Sequence, residues 1–172
     1  MRRVLVFFIA VSTLMLTAQS CSVTLNGSSI PPELKTINIE FFENNAPLVV
    51  SNLSQDFTEA LKNRIRSQSR LSIVRDPAAN ATMSGSIINY TITPASIEAT
   101  NSNTAPIANA SRLSITVNVK YTNEFDKKGN FEQQFTKSQD FQGDISSREQ
   151  ALIVDIVRQL TEDIFNKAFA NW

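Results

Sequence analysis

From Leu113 to Tyr121 every second residue is apolar: Leu113, Ile115, Val117, Val119 and Tyr121 alternate with Ser114, Thr116, Asn118 and Lys120. A two-residue period sends those five side chains to one side of an extended strand. The fold must therefore contain a sheet with one dry face and one wet face. Downstream, Phe131, Phe135 and Phe141 share one parity, and Asp126-Lys127-Lys128-Gly129-Asn130 lies between the two runs. That connection has the length of a common hairpin loop. Pairing Phe125 with Phe131 puts Tyr121 opposite Phe135 and Ile115 opposite Phe141, and the apolar side chains then fall on the same face.

A dry face needs a cover, and two amphipathic segments supply it. Leu53, Phe57, Leu61 and Ile65, reinforced by Ala60, recur at helical spacing, which predicts a helix capped by Ser51 or Ser54 and running to about Ser69. Ser146-Ser147-Arg148-Glu149 reads as a capping box opening a long final helix. Its stripe is Leu152, Ile153, Ile156, Leu160, Ile164, Phe165, Phe169 and Trp172, and so much apolar bulk predicts a docked C-terminus. Three more strands are expected. Thr36 to Phe42 points Ile37, Ile39 and Phe41 inward, Leu71 to Val74 stops at Asp76-Pro77, and Ala81 to Thr93 changes parity near Ile87 and Ile88. A bulge or burial on both faces accounts for that change. Residues 94–111 keep no period and read as a long loop, either a contact surface or simple disorder. The expected class is α+β, a mainly antiparallel sheet of about four strands with two amphipathic helices packed on one face.

The first twenty residues follow a different logic. Arg2 and Arg3 precede an apolar run from Val4 to Leu16, and small residues Ala18 and Ser20 lead to Cys21. This is the order of a secretory signal, too short for the roughly 20 apolar residues that span a bilayer. Cleavage before Cys21 leaves the one cysteine as an N-terminal lipidation site, and two or three acyl chains anchor a protein durably. No Asp follows Cys21 to favour inner-membrane retention, and no acidic cluster follows to direct export to the exterior. The expectation is an outer-membrane lipoprotein facing the periplasm. Residues 1–20 are its signal peptide, 21–35 its lipidated tether, broken by Asn26-Gly27-Ser28-Ser29 and Pro31-Pro32, and 36–172 one domain.

Composition narrows the chemistry. The chain has no histidine, one cysteine and only four glycines, widely spaced. His-activated nucleophiles, the usual zinc ligand sets and glycine-rich phosphate loops are thereby excluded. No metal or other cofactor is expected. Carboxylate pairs remain, Asp140 with Asp144 and Glu40 with Glu43, but nothing nearby desolvates them, so they read as solvated surface rather than an acid-base couple. Near-zero net charge gives no general pull toward nucleic acid. Positive charge is concentrated locally. Lys62, Arg64, Arg66, Arg70 and Arg75 occur with no acid between Glu59 and Asp76, and Lys127 and Lys128 have Lys120 and Lys137 nearby. Such rows either grip phosphate or complement a helix C-terminus, at about 0.3 to 1 kcal/mol each.

Cys21-Ser22, Ile30-Pro31-Pro32, Lys35-Thr36-Ile37-Asn38-Ile39, Asn44-Asn45-Ala46, Asp56-Phe57-Thr58-Glu59-Ala60-Leu61, Asn130-Phe131-Glu132-Gln133 and the closing decapeptide from Asp163 to Trp172 together resemble the LptE family of lipopolysaccharide-assembly lipoproteins, in a branch apart from the enterobacterial type. The resemblance covers nearly the whole chain after Cys21. It implies two helices on a four-stranded sheet, no enzymatic activity, and a plug inside an LptD-like β-barrel that passes lipopolysaccharide to the outer leaflet. Lys62, Arg66, Arg70, Lys120, Lys127 and Lys128 are then the candidates for lipopolysaccharide binding. The competing expectation is a structural periplasmic adaptor lipoprotein of another envelope complex.

Overall fold

The computed structural model describes residues 30–48, 50–95 and 110–170. The signal segment, Cys21, most of the 94–111 loop and Trp172 lie outside the described residues. In chain order the elements are β1 (Thr36–Ile39), β2 (Glu43–Asn44), α1 (Leu53–Gln68), β3 (Ser72–Val74), β4 (Ala81–Ala95), β5 (Ala110–Asn123), a 3-10 turn at Lys127–Gly129, β6 (Phe131–Gln142) and α2 (Glu149–Phe169). The class is α+β with two helices, as expected. The sheet is larger than four strands: its order is β3-β1-β4-β5-β6, with β2 also paired to β4. β4, β5 and β6 form an antiparallel meander, whereas β1 runs parallel to both β3 and β4. The parallel pairing follows from α1. A helix between two neighbouring strands carries the chain back to its starting end, so the second strand repeats the direction of the first.

α1 and α2 run side by side in the same direction. Gln150 donates to the Asp56 carboxylate at 3.4 Å, and one full stretch further along Arg64 donates to the Arg158 carbonyl at 3.1 Å, each pair 94 residues apart. Both helices consequently begin at one end of the sheet and finish at the other. Leu53, Phe57, Leu61 and Ile65 of α1 are buried as their spacing predicts, together with Ile153, Ile156, Leu160, Ile164, Phe165 and Phe169 of α2. They meet Leu113, Ile115, Val117, Val119 and Tyr121 of β5 in one core. Each large side chain taken out of water there contributes about 1.5 to 3 kcal/mol.

Local details depart from the sequence reading where polar contacts override the pattern. The α1 N-cap is Asn52, in left-handed backbone at φ 66°, and no side chain caps this end. Neither Ser51 nor Ser54 takes that role. The capping box before α2 does not form either. Arg148 is the N-cap, the Ser146 and Ser147 hydroxyls turn back to Asp144, and the Glu149 carboxylate accepts the Tyr90 hydroxyl at 2.7 Å. β1 stops at Ile39, and Phe42 rather than Phe41 is buried: Phe41 is 57% exposed. The cause is one extra residue. Ile39 pairs with Met83 and Glu43 with Ser86, so four steps on one strand match three on the other, a bulge that inverts the parity. α1 pins it, because the Phe42 N–H donates to Thr58 Oγ1 at 3.1 Å and the Phe42 and Phe57 rings lie 5.1 Å apart.

Of the two readings of the parity change in β4, the bulge is the one found, with the register shifting between Ile87 and Asn89. The β5–β6 hairpin keeps its expected faces but not its expected register. Tyr121 pairs with Phe131, Val117 with Phe135 and Ser111 with Phe141, four residues from the expected partner along β5. An even slip leaves every side chain on its face. The slip has a polar origin. Asn123 Oδ1 accepts from the N–H groups of Phe125 and Asp126, while Asn130 Oδ1 accepts from the Asn123 N–H, and these bonds close a longer loop over residues 122–130.

Candidate functional site

The helices cover one face of the sheet, and the other is polar along β4, β5 and β6, with Val74 and the exposed Phe41 at its β1–β3 side. On β5 it presents Arg112, Ser114, Thr116, Asn118 and Lys120, opposite Asp140, Ser138, Thr136, Gln134 and Glu132 of β6. On the other flank β4 adds Thr82, Ser84 and Ser86, and beyond the bulge Asn89, Thr91 and Thr93. The side chains are tied across the strands. Arg112 forks onto Asp140 at 2.6 and 2.9 Å, Ser114 meets Ser138 at 2.8 Å, Thr116 meets Thr136 at 2.9 Å, and Asn118 donates to Glu132 at 3.3 Å. A flat face of paired hydroxyls and amides is pre-ordered, so a polar partner laid on it need not order these groups again.

The six basic candidates go to four places. Lys62 is paired with Glu59 at 3.0 Å and Arg66 donates to Asn63 at 2.7 Å, so both are engaged on the surface of α1. Arg70 lies beyond the end of α1 at Gln68 and does not share its face. Arg64 of the same row reaches α2, with Glu162 at 3.9 Å. Lys120 stands on the open sheet face opposite Glu132, and Lys137 is paired with Asp163 at 2.8 Å. Lys127 and Lys128 lie exposed in the 3-10 turn.

Two clefts show which of these charges come together. One, of about 540 Å³, is lined by Ile30, Pro31, Pro32, Leu34, Lys35 and the stretch Ser67–Leu71, which includes Arg70. The second, small one shares Pro31 and Leu34 and adds Tyr121, Asn123, Asp126, Gly129, Lys167 and Phe169. The first described residues thus sit between the C-terminal end of α1, the C-terminal end of α2 and the hairpin turn. Arg70 and the pair Lys127 and Lys128, distant in sequence, share this end of the molecule with Lys35 and Lys167. Beside the turn Phe125 is 52% exposed. Sequence reasoning passed over Lys35, Phe125 and Lys167 because each is isolated in the chain.

Asp140 and Asp144 are engaged separately. The Arg112 fork holds the Asp140 carboxyl below the usual carboxylate range, so Asp140 is an anion at neutral pH, and Asp144 serves as acceptor for the turn before α2. Burial, and the bond to Glu149, push the Tyr90 phenol well above its ordinary value, and burial lifts Tyr121 to about 12. Both stay protonated in any physiological medium. Among the described residues no group of three potential ligands is placed to hold a metal, and no helix is long and apolar enough to cross a membrane.

The LptE family, described as lipopolysaccharide-assembly, matches residues 34–168. No curated protein matches the chain in sequence. Among solved structures, the hypothetical protein CT253 of Chlamydia trachomatis superposes with a TM-score of 0.53 at 12% identity, covering 80% of this chain and 99% of its own. Protein XCC0632 of Xanthomonas campestris gives 0.52 at 10% identity over 76% and 81%. A minor lipoprotein of Acinetobacter baumannii gives 0.49 at 15% identity over 78% and 91%. The likeness to the first two is one of fold.

Proposed function

The chain belongs to the LptE lipopolysaccharide-assembly family, and from that premise we propose that it is a non-enzymatic outer-membrane lipoprotein, anchored through acylated Cys21, that plugs an LptD-like β-barrel and assists lipopolysaccharide transport. The observation that carries this reading is the family match over residues 34–168, which spans both helices and every strand. The open sheet face supports it. The lumen of a large membrane barrel is polar and wet, and a face built around Thr116, Thr136, Ser114, Ser138, Asn118 and Gln134 offers such a wall hydrogen-bonding groups along β5 and β6. Lipopolysaccharide is held through its phosphates by the free cations Arg70, Lys127 and Lys128, with Lys120 on the sheet. Lys62 and Arg66 contribute less, since each already has a partner.

Affinity purification from detergent-solubilised outer membranes tests the proposal. Recovery of a large β-barrel protein in near-equal amount is expected, and recovery of the lipoprotein alone refutes the plug. Depletion separates plug from adaptor: a plug makes surface lipopolysaccharide fall while the lipid accumulates inside, and an adaptor leaves transport unchanged.

A further inference from the structure

The end of the domain nearest the tether differs in kind from the opposite end. The tether reaches the fold at Ile30 to Lys35, between the two clefts. Around that point stand Lys35, Arg70, Lys127, Lys128 and Lys167, all exposed, and none has an ion-pair partner among the described residues. Lys167 lies 5.9 Å over the Phe131 ring. Acids near this end include Glu33, Glu124, Asp126 and Glu132; Asp126 accepts from the backbone N–H of Lys128, and Glu132, next to Phe131, accepts from Asn118. The other end, where both helices begin, carries Asp56, Asp140, Asp144 and Glu149 against Arg112 and Arg148.

Phe125 supplies a second, independent observation. A half-exposed aromatic ring two residues from a pair of free lysines, at the tip of a hairpin, matches the physics of a membrane interface, where rings sit among headgroups and cations meet lipid phosphates. Ile30 lies nine steps along the chain from Cys21, a span of about 30 Å at full extension. Acyl chains on Cys21 therefore keep this end within reach of the bilayer that holds them.

We propose that Lys35, Arg70, Phe125, Lys127, Lys128 and Lys167 form a docking face for the anionic phospholipid surface of that bilayer, so that the domain stands tether-end down with its open sheet face upright. The inference rests on the anchoring through Cys21 proposed above and concerns the anchored domain before it enters the barrel, when these cations hold no lipopolysaccharide. Phe125 inserts at headgroup depth while the cations pair with phosphates. The helix C-termini share this end, and their partial negative charge is offset by the same cations.

Brominated phospholipid, which quenches indole on contact, tests this on the full chain purified from membranes. The vesicles hold phosphatidylethanolamine and phosphatidylglycerol and no lipopolysaccharide. Phe125→Trp is compared with Leu48→Trp, an exposed position near the start of α1, each read against the Trp172 background. Quenching is expected for Phe125→Trp alone. Adding Lys127→Glu with Lys128→Glu should weaken tip binding at least about 30-fold, from about fivefold for each positive charge removed and further repulsion from the two carboxylates. Equal quenching at both positions, quenching indifferent to the charge reversal, or quenching that appears only when lipopolysaccharide is added overturns the proposal. Vesicle flotation separates the two readings. A chain that floats without quenching refutes the docking face alone, and one that does not float refutes the anchor and the docking face with it.

Discussion

The two faces of β5 are written in the same residues, one letter apart, and they do different work. Odd-numbered positions from Leu113 to Tyr121 are buried under α1 and α2, whereas their even-numbered neighbours form the polar rungs of the open face. The covered face is apolar and close-packed, so a change there is felt as lost stability. The open face is hydrogen-bonded within itself, so a change there is felt chiefly by whatever lies on it. A sheet with one face spent on folding and the other left ordered and wet is suited to holding a partner, since its shape does not depend on the partner's presence.

The largest effect expected on the covered face is at Gly85. A Cβ there would lie 2.0 Å from the Asn118 carbonyl oxygen and 2.7 Å from the Phe42 ring, so β4 and β5 must separate or the ring must leave. Gly85→Ala should lower the unfolding free energy by about 3 to 5 kcal/mol, measured by urea denaturation. A loss below about 1 kcal/mol would mean that the bulge region yields and that the covered face is softer than its packing implies. Thr58→Val comes next. It keeps the shape but leaves the buried Phe42 N–H without its acceptor, and about 1 to 3 kcal/mol should be lost. An unchanged midpoint would show that α1 does not pin the extra residue between β1 and β2.

The open face should respond in the opposite way. Thr116→Val with Thr136→Val removes both members of one hydroxyl pair, a change close to neutral for folding, within about 0.5 kcal/mol. Recovery of the barrel in the affinity experiment should nevertheless fall severalfold, because two hydrogen-bonding groups are lost from the centre of the face. A stability loss with full barrel recovery would invert the comparison and move the contact elsewhere.

What the sequence revealed divides along the same line. Periodicity reports burial, and it located both helices, the bulge in β4 and the faces of β5 and β6, because removing apolar area from water is the largest local signal in the chain. It placed Phe41 wrongly because the inserted residue between β1 and β2 is held by Thr58, which is remote in sequence. The hairpin register escaped for a related reason. An even slip leaves the burial pattern unchanged, and the choice rested on Asn123 and Asn130, whose bonds no period reports. The site was least legible. Lys62, Arg66 and Arg70 form a row in sequence, yet Glu59 and Asn63 engage the first two, and Arg70 is brought instead near Lys35 and the hairpin turn by chain topology. Cys21 and Trp172 carried much of the sequence argument and lie outside the described residues.

The smallest effect concerns Arg112 and Asp140, at the end of the open face remote from the hairpin turn. The two side chains are each about half exposed, so the pair is screened by salt and contributes little to stability. Its imprint should still be visible in titration. The fork from Arg112 holds the folded-state value of Asp140 below its ordinary one, so the folded state releases that proton more readily than the unfolded state. The associated stability is present above the ordinary carboxylate value of about 3.9 and is lost as pH falls through the depressed folded-state value. Carboxyl NMR should place the Asp140 midpoint below that ordinary value, and Arg112→Gln should return it there. An unshifted Asp140 would make the fork a surface contact without energetic weight, and the open face would lose one of its rungs. A shifted one leaves Asp140 charged throughout the physiological range, where it can accept hydrogen bonds from a partner but has no proton to give.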